Sequence, residues 1–248
     1  MFVRQRVVPE RVKPTLERVL VVLAHPDDPE FYCGGTVARW CAEGRQVVYC
    51  LLTRGEKGAD DPAADVEALA RTREQEQRNA ARHLGVQQVQ FLDHPDGYLV
   101  PDLALRKDIV RVLRQVRPDS VVTCDPTNFY PRSTYINHPD HRAAGHATLD
   151  AIFPASGAGP FFPELIREEG LVPHKIRQVY IAGTANPNTD VDVTAYVERK
   201  IEALRMHVSQ IPDPDEMAQR VRDRMLDPAS PPDAPRFVER FMRLDLAG

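Results

Sequence analysis

The sequence predicts an α/β fold built on a parallel sheet, and two observations carry that expectation. Short apolar runs alternate with helix-like stretches along most of the chain. Strand, helix, strand, helix at this spacing makes a parallel sheet joined by right-handed crossovers. The first run, Val19-Leu20-Val21-Val22-Leu23-Ala24, is apolar without alternation, as in a strand covered on both faces. No repeat recurs at the roughly 20–50-residue period of a solenoid.

The elements follow in order. A first strand is expected over 19–24, after which Gly34-Gly35 opens a helix over 36–43 that Gly44 stops. Residues 47–53 form a second strand. The long charged stretch 65–84, with Gly85 just past its end, reads as a helix. A third strand covers 86–92, a helix 103–116 lies between Pro101 and Pro118, and a fourth strand covers 120–124. Helix over 141–152, strand over 175–182 and helix over 197–208 follow. Prolines 212, 214, 228, 231, 232 and 235 mark a loop-rich stretch with a helix at 216–225 inside it. Residues 237–246 end the chain as a packed element or a tail contact. No linker separates two units. One domain is expected over 1–248, with a basic N-terminal arm (1–18) and a Pro-rich C-terminal extension (211–248).

Composition narrows the function classes. A chain of 248 residues with 42% hydrophobic content can bury one sizeable core. A net charge of −4 and a pI near 6.1 argue against a general nucleic-acid or anionic-membrane binder. The local exception is Arg4, Arg6, Arg11, Lys13 and Arg18, read as a solvated arm. No apolar run approaches the ~18–20 residues of a membrane span, so a cytoplasmic protein is expected. Cysteines 33, 41, 50 and 124 show no CxxC pairing. Free thiols are expected rather than a disulfide framework or a cysteine zinc site.

The chemistry concentrates in the tripeptide His-Pro-Asp, which occurs at 25–27, 94–96 and 138–140. The first copy, His25-Pro26-Asp27-Asp28, follows the first buried strand directly. Ligands in open α/β sheets bind beyond the carboxyl ends of the strands. A histidine and a carboxylate three apart on a turn stiffened by two prolines can reach one metal ion. The third copy, Asn137-His138-Pro139-Asp140-His141, follows the fourth strand after a longer loop and adds two imidazoles and a carboxylate. Two neutral histidines and one carboxylate form a recurrent catalytic zinc set with a position left for water. The middle copy ends in Asp96-Gly97, a turn signal. It is read as a loop on the same sheet edge, with Asp96 a candidate substrate contact. His83, His146, His174 and His207 have no ligand context and are read as structural or exposed.

Those residues resemble the PIG-L/LmbE-like zinc N-deacetylases. The likeness rests on Ala24-His25-Pro26-Asp27-Asp28-Pro29-Glu30 with Gly34-Gly35-Thr36, and on His138-Pro139-Asp140-His141 downstream. Looser matches are Leu52-Thr53 with Gly55-Glu56, Arg73 with Glu76 before Leu84-Gly85, Asp96-Gly97, Phe162-Pro163-Glu164-Leu165, and 207–210; together they span roughly 19–210. The resemblance implies a Rossmann-like three-layer fold with a mostly parallel sheet and one zinc ion per chain. It implies His25, Asp28 and His141 as ligands and Asp27 as general base. It further implies His138, protonated, as oxyanion stabiliser or acid, with Asp140 holding His138 in orientation. Arg73 becomes a candidate grip on a sugar hydroxyl or carboxylate. The implied reaction removes acetyl from an N-acetylated amino sugar or its conjugate. Relatives of this kind are often trimers or hexamers. Tyr130 and Tyr135, before the third copy, either lean into the site or cover the sheet edge, and Tyr135 is the candidate substrate contact.

Three rivals share parts of this pattern. A zinc amidase acting on another amide or thiol conjugate uses the same chemistry. A two-metal phosphoesterase needs further bridging carboxylates. A metal-containing binding protein would close its site with four ligands, and it has no use for a spare base such as Asp27. A dinucleotide-binding oxidoreductase is a weaker reading still, because no GxGxxG follows the first strand and His-Pro-Asp-Asp occupies its place.

Overall fold

The computed structural model describes residues 17–247. Arg4, Arg6, Arg11 and Lys13 of the expected arm lie outside them. Arg18 opens the first strand, and its guanidinium donates to Val116 O (3.1 Å) and Gln46 Oε1 (3.3 Å) rather than standing free in solvent.

The fold is the expected α/β type, a seven-stranded, mostly parallel sheet with helices on both faces. In chain order the strands are β1 (Arg18–Leu23), β2 (Gln46–Thr53), β3 (Gln88–His94), β4 (Ser120–Cys124), β5 (Gln178–Ala182), β6 (Thr189–Asp192) and β7 (Val238–Asp245). The helices are α1 (Asp28–Ala42), α2 (Val66–Leu84), α3 (Leu103–Val116), α4 (Pro139–Asp150), α5 (Pro163–Arg167), α6 (Val197–Leu204) and α7 (Pro214–Met225). The sheet order is β3-β2-β1-β4-β5-β7-β6. Strands β1 to β5 are parallel, and β7 runs antiparallel between β5 and β6.

The unbroken apolar β1 serves both faces. Leu20, Val22 and Ala24 join one core with Ile109 and Leu113 of α3 and Ala144 and Ala147 of α4. Val19, Val21 and Leu23 join the other with Val37 and Trp40 of α1 and Ala80 and Leu84 of α2. Each buried Leu or Val contributes about 1.5–3 kcal/mol of transfer free energy, so the central strand is anchored from both sides. A third cluster packs α6 against α7 through Val197, Ile201, Met217 and Val221.

Helix α1 begins at Asp28, eight residues before the expected start at 36, and the two starts have one explanation. Cys33 has non-helical angles (φ −147°, ψ 17°), so α1 is two helical pieces across a kink. The kink frees the next amide groups, and Glu239 of β7 accepts from Gly35 N (3.0 Å) and Thr36 N (2.7 Å). Lys200 Nζ neutralises that buried carboxylate at 2.7 Å. The glycines serve packing as well: a Cβ on Gly35 would meet the Val193 side chain at 2.9 Å. Strand β6 was not expected. Its sequence, Thr-Asp-Val-Asp, is short and polar, as an edge strand must be. Residues 238–245 enter the sheet as β7 instead of trailing as a tail.

The chain builds outward from β1 through β2 to β3, then returns to place β4 on the other flank of β1. That reversal opens a crevice at the carboxyl ends of β1 and β4. The turn after β1 carries His25 to Asp28, and the loop after β4 leads to His138 and His141 at the start of α4. Among the described residues no helix is long and apolar enough to cross a membrane.

Candidate active site

The turn after β1 is tightly constrained. Asp27 caps α1 with φ +86°, a left-handed conformation that a non-glycine residue holds at a cost of about 1–3 kcal/mol. Gln77 Oε1 accepts from the Asp27 amide at 2.8 Å. Arg73 Nη2 donates to Pro26 O (2.8 Å) and Asp27 Oδ2 (3.2 Å), and Nη1 donates to Gly55 O (2.8 Å). Burial pushes the Asp27 carboxyl up to about 6, with Asp28 adding to the rise and Arg73 opposing it.

Three donors converge beside Asp27. His25 Nδ1 lies 3.3 Å from His141 Nε2 and 3.4 Å from Asp28 Oδ2, and His141 Nε2 lies 3.1 Å from Asp28 Oδ1. The outer nitrogens of both rings are engaged elsewhere. His25 Nε2 faces Asp96 Oδ1 (3.1 Å) and Asp140 Oδ2 (3.2 Å). His141 Nδ1 faces Tyr32 Oη (3.0 Å) and Asn137 Oδ1 (3.3 Å). With hydrogens on those outer nitrogens, the inner ones present bare lone pairs to each other and to a carboxylate. Three acceptors in contact call for a cation between them. Donors about 2.0–2.1 Å from a tetrahedral ion stand roughly 3.3 Å apart, which is the spacing here. The donor set therefore fits a metal ion of that geometry. A ligand atom of His138 also lies within 4.8 Å of those of His25 and His141.

His25 with Asp96 and Asp140 forms a second compact group, but its carboxylates are already satisfied. Asp140 accepts from Gly97 N (2.7 Å) and Leu99 N (3.2 Å), and Asp96 accepts from Lys57 N (2.9 Å). Burial raises the Asp96 carboxyl, but the His25 contact and the Lys57 amide outweigh it and hold the group down at about 2. This group is a clamp on His25.

Four expectations need correcting. Asp140 does not orient His138 through its carboxylate, which is occupied by His25, Gly97 and Leu99. Its backbone amide instead donates to His138 Nδ1 at 3.2 Å, as His138 caps α4. Asp96 does not line the open cleft; it is 5% exposed and turned to His25. Arg73, also 5% exposed, spends its guanidinium on the Asp27 turn and on Gly55 rather than on the open cleft. His138 is not poised as a cation: burial, His25 and His141 all lower its pKa. Tyr135 does line the cleft, and Tyr130 stands 75% exposed. His94 lies apart from the cluster, 3.2 Å from Asp108 Oδ2.

The cleft encloses about 650 Å³ and is lined by Asp28 and His141 with Tyr32, Arg132, Tyr135 and Arg224 among others. Several of its supports were not foreseen. Gln77 Nε2 donates to the buried Glu30 (3.0 Å), and His207 Nε2 lies 3.1 Å from the same carboxylate. Gln77 sits four residues after Arg73, so both extend from one face of α2; that spacing was the available signal. Tyr32, Asn137 and Arg224 carried none. The four cysteines are free thiols, as expected.

The chain is similar to several known proteins. Residues 20–152, more than half of the chain, match the PIG-L family, described as GlcNAc-PI de-N-acetylase. A diacetylchitobiose deacetylase of Thermococcus kodakarensis is 38% identical over 199 residues, covering 80% of this chain and 72% of its own. A 1D-myo-inositol 2-acetamido-2-deoxy-alpha-D-glucopyranoside deacetylase of Kineococcus radiotolerans is 32% identical, covering 78% of this chain and 69% of its own. The solved N,N'-diacetylchitobiose deacetylase from Pyrococcus horikoshii superposes with a TM-score of 0.79 at 28% identity, over 92% of this chain and 84% of that one.

Proposed function

The chain belongs to the PIG-L family, and from that premise we propose that it is a zinc-dependent hydrolase that removes acetyl from an N-acetylglucosamine-type sugar or its conjugate. The observation that carries this reading is the His25–Asp28–His141 donor set, with the Asp27 carboxylate next to Asp28, at an open cleft. His25 Nδ1, His141 Nε2 and Asp28 would hold the metal. Zinc bound there supplies Lewis acidity, polarising the acyl oxygen and bringing the pKa of water near 7.

The chain's own groups do the rest. Asp27, locked by Arg73 and Gln77, takes the proton from the attacking water at its carboxylate. The water oxygen bonds to the acyl carbon, the carbon–nitrogen bond breaks, and the proton goes to the leaving amine, giving acetate and a free amine. His138 accepts from the Asp140 amide at Nδ1, so its neutral tautomer carries hydrogen on Nε2. That hydrogen stabilises the developing oxyanion as a neutral donor; a group of this kind contributes roughly 3–4 kcal/mol. Asp96 and Asp140 keep Nδ1 of His25 turned to Asp28 and His141, where a metal would be held.

The test is amine release by the zinc-loaded protein from a panel of N-acetylglucosamine derivatives. Wild type should release amine, and Asp27→Asn should keep its zinc while losing about 10²–10⁴-fold in rate. His25→Ala and His141→Ala should lose the metal. Full zinc in both variants would overturn the ligand set, and near-normal turnover in Asp27→Asn would remove the base.

A further inference from the structure

We propose that Tyr32 binds the substrate: its phenol oxygen accepts the Nδ1 hydrogen of His141, and its own hydrogen is donated to a hydroxyl oxygen of the sugar in the cleft. This deepens the deacetylase reading and rests on it for the ligand being a sugar. Tyr32 stands one turn after Asp28 in the first piece of α1, just before the kink at Cys33, so both side chains leave the same face of the helix. Both line the cleft together with His141.

The direction of the hydrogen bond is fixed by a neighbour. Asn137 Nδ2 donates to Asn128 O at 2.8 Å, so Oδ1 is the Asn137 atom that faces His141 Nδ1. A carbonyl oxygen only accepts, and Nδ1 therefore carries the ring hydrogen. That hydrogen is shared between Asn137 Oδ1 (3.3 Å) and Tyr32 Oη (3.0 Å). Tyr32 is then an acceptor toward His141, and a phenol keeps its own hydrogen at neutral pH. Among the described residues no other oxygen or nitrogen is hydrogen-bonded to Oη. The Cys124 thiol is within reach, but sulfur is a weak acceptor. The phenol hydrogen is thus left for an oxygen that the protein does not supply, and the cleft is where such an oxygen arrives.

The ring is held for this task. It meets the His141 ring edge-on, with centroids 5.6 Å apart and planes at 84°. A Cβ on Gly183 would come within 2.8 Å of Tyr32 Cε1, so the ring lies directly against that glycine's backbone. A side chain already fixed loses little freedom when it takes a ligand. The hydroxyl also has a defined place relative to the reaction. It meets Nδ1, while Nε2 on the far side of the ring faces Asp28 and His25. Oη therefore stands one imidazole's width behind the donor set, out of reach of the acyl carbon and suited to the sugar beside it.

The experiment measures binding by calorimetry on zinc-loaded Asp27→Asn, with and without Tyr32→Phe. The probes are methyl N-acetylglucosaminide and its 3-deoxy, 4-deoxy and 6-deoxy analogues. Tyr130→Phe, which removes a phenol from a 75% exposed position, is the control. Tyr32→Phe keeps the ring and leaves Asn137 Oδ1 to accept from His141, so it should fold and carry one zinc per chain. It should weaken binding of the parent glycoside about three- to tenfold, and Tyr130→Phe should leave it unchanged. Against one deoxy analogue the loss should vanish, because donor and acceptor form one pair and removing either removes it. That analogue names the hydroxyl. Equal losses for all four probes, or no loss for any, overturn the proposal. Loss of zinc from Tyr32→Phe also overturns it, since the phenol would then serve His141 and not the substrate. Amine release by wild type is followed separately. No release, with the deoxy-selective loss present, overturns the deacetylase reading and sustains the contact; release without that selectivity does the reverse.

Discussion

At the scale of single residues, the histidine that begins the first motif is held from both sides. His25 Nδ1 points to Asp28 and His141, and Nε2 to Asp96 and Asp140. An outer carboxylate fixes the tautomer and raises the basicity of the inner nitrogen, an effect worth about 10–100-fold in metal affinity. Asp96→Asn and Asp140→Asn should each weaken zinc binding by about that factor while the fold persists. Competition with a chromophoric chelator measures it, and wild-type affinity in both variants would reduce the two carboxylates to structural anchors. His94→Ala, in the middle copy of the motif, should leave zinc affinity unchanged. The convergence of His25, Asp28 and His141 was legible because motif and strand end coincide twice along the chain. The clamp was not. The family resemblance implied that Asp140 holds His138, two residues away in sequence. Helix geometry instead sends its side chain across to the 97–99 backbone and to His25. Arg73 misled in the same way: the resemblance made it a candidate substrate grip, but its partners are the backbone oxygens of Pro26 and Gly55 and the Asp27 carboxylate.

At the scale of elements, the strands and helices of the first half were legible from apolar runs, caps and glycines, and α3 and β4 fall at the expected 103–116 and 120–124. What escaped was the start of α1, because Gly34-Gly35 reads as a helix opening when it marks a kink inside a longer helix. The amides freed there are satisfied by Glu239, more than two hundred residues away, which no local pattern can disclose. Helix α4 depends on another distant contact. A Cβ on Gly145 would sit 2.2 Å from the carbonyl oxygen of Cys124, so the helix carrying His141 lies directly on the end of β4. Gly145 is one turn beyond His141, on the same face. Gly145→Ala should lower stability by about 1–3 kcal/mol through overpacking. On an unhindered helix face the same change raises stability by roughly 1 kcal/mol, so the sign alone decides. Denaturant unfolding reads it, and a variant as stable as wild type would contradict the close approach. Zinc affinity should fall in parallel, since the helix must move away from β4 and take His141 with it.

At the scale of the whole molecule, one buried pair ties the C-terminal layer to the site. His207 follows α6 and reaches Glu30 of α1 at 3.1 Å, across 177 residues of sequence, and both side chains are almost fully buried. Next to it Ser209 donates from its amide and hydroxyl to Glu76 of α2 (2.8 and 2.6 Å). Glu30 also takes Gln77, the residue that holds the Asp27 amide. The packing of α6 is thereby coupled to the turn that carries Asp27. Burial pulls the His207 imidazole down, but Glu30, with Asp27 and Glu76 adding to the field, outweighs it, and the net pKa is raised. A histidine whose folded pKa exceeds its unfolded value of about 6.5 binds its proton more tightly when folded. Its contribution to stability is complete below about pH 6.5 and is lost as pH rises through the folded value. The stability difference between wild type and His207→Gln should therefore be largest near pH 6 and shrink steadily toward about pH 9. Urea unfolding of both proteins across that range checks it. Subtracting one curve from the other cancels what they share, including the pH dependence of metal binding. A difference that stays constant with pH would mean that His207 serves by shape alone, and one that grows with pH would reverse the assigned direction of its shift.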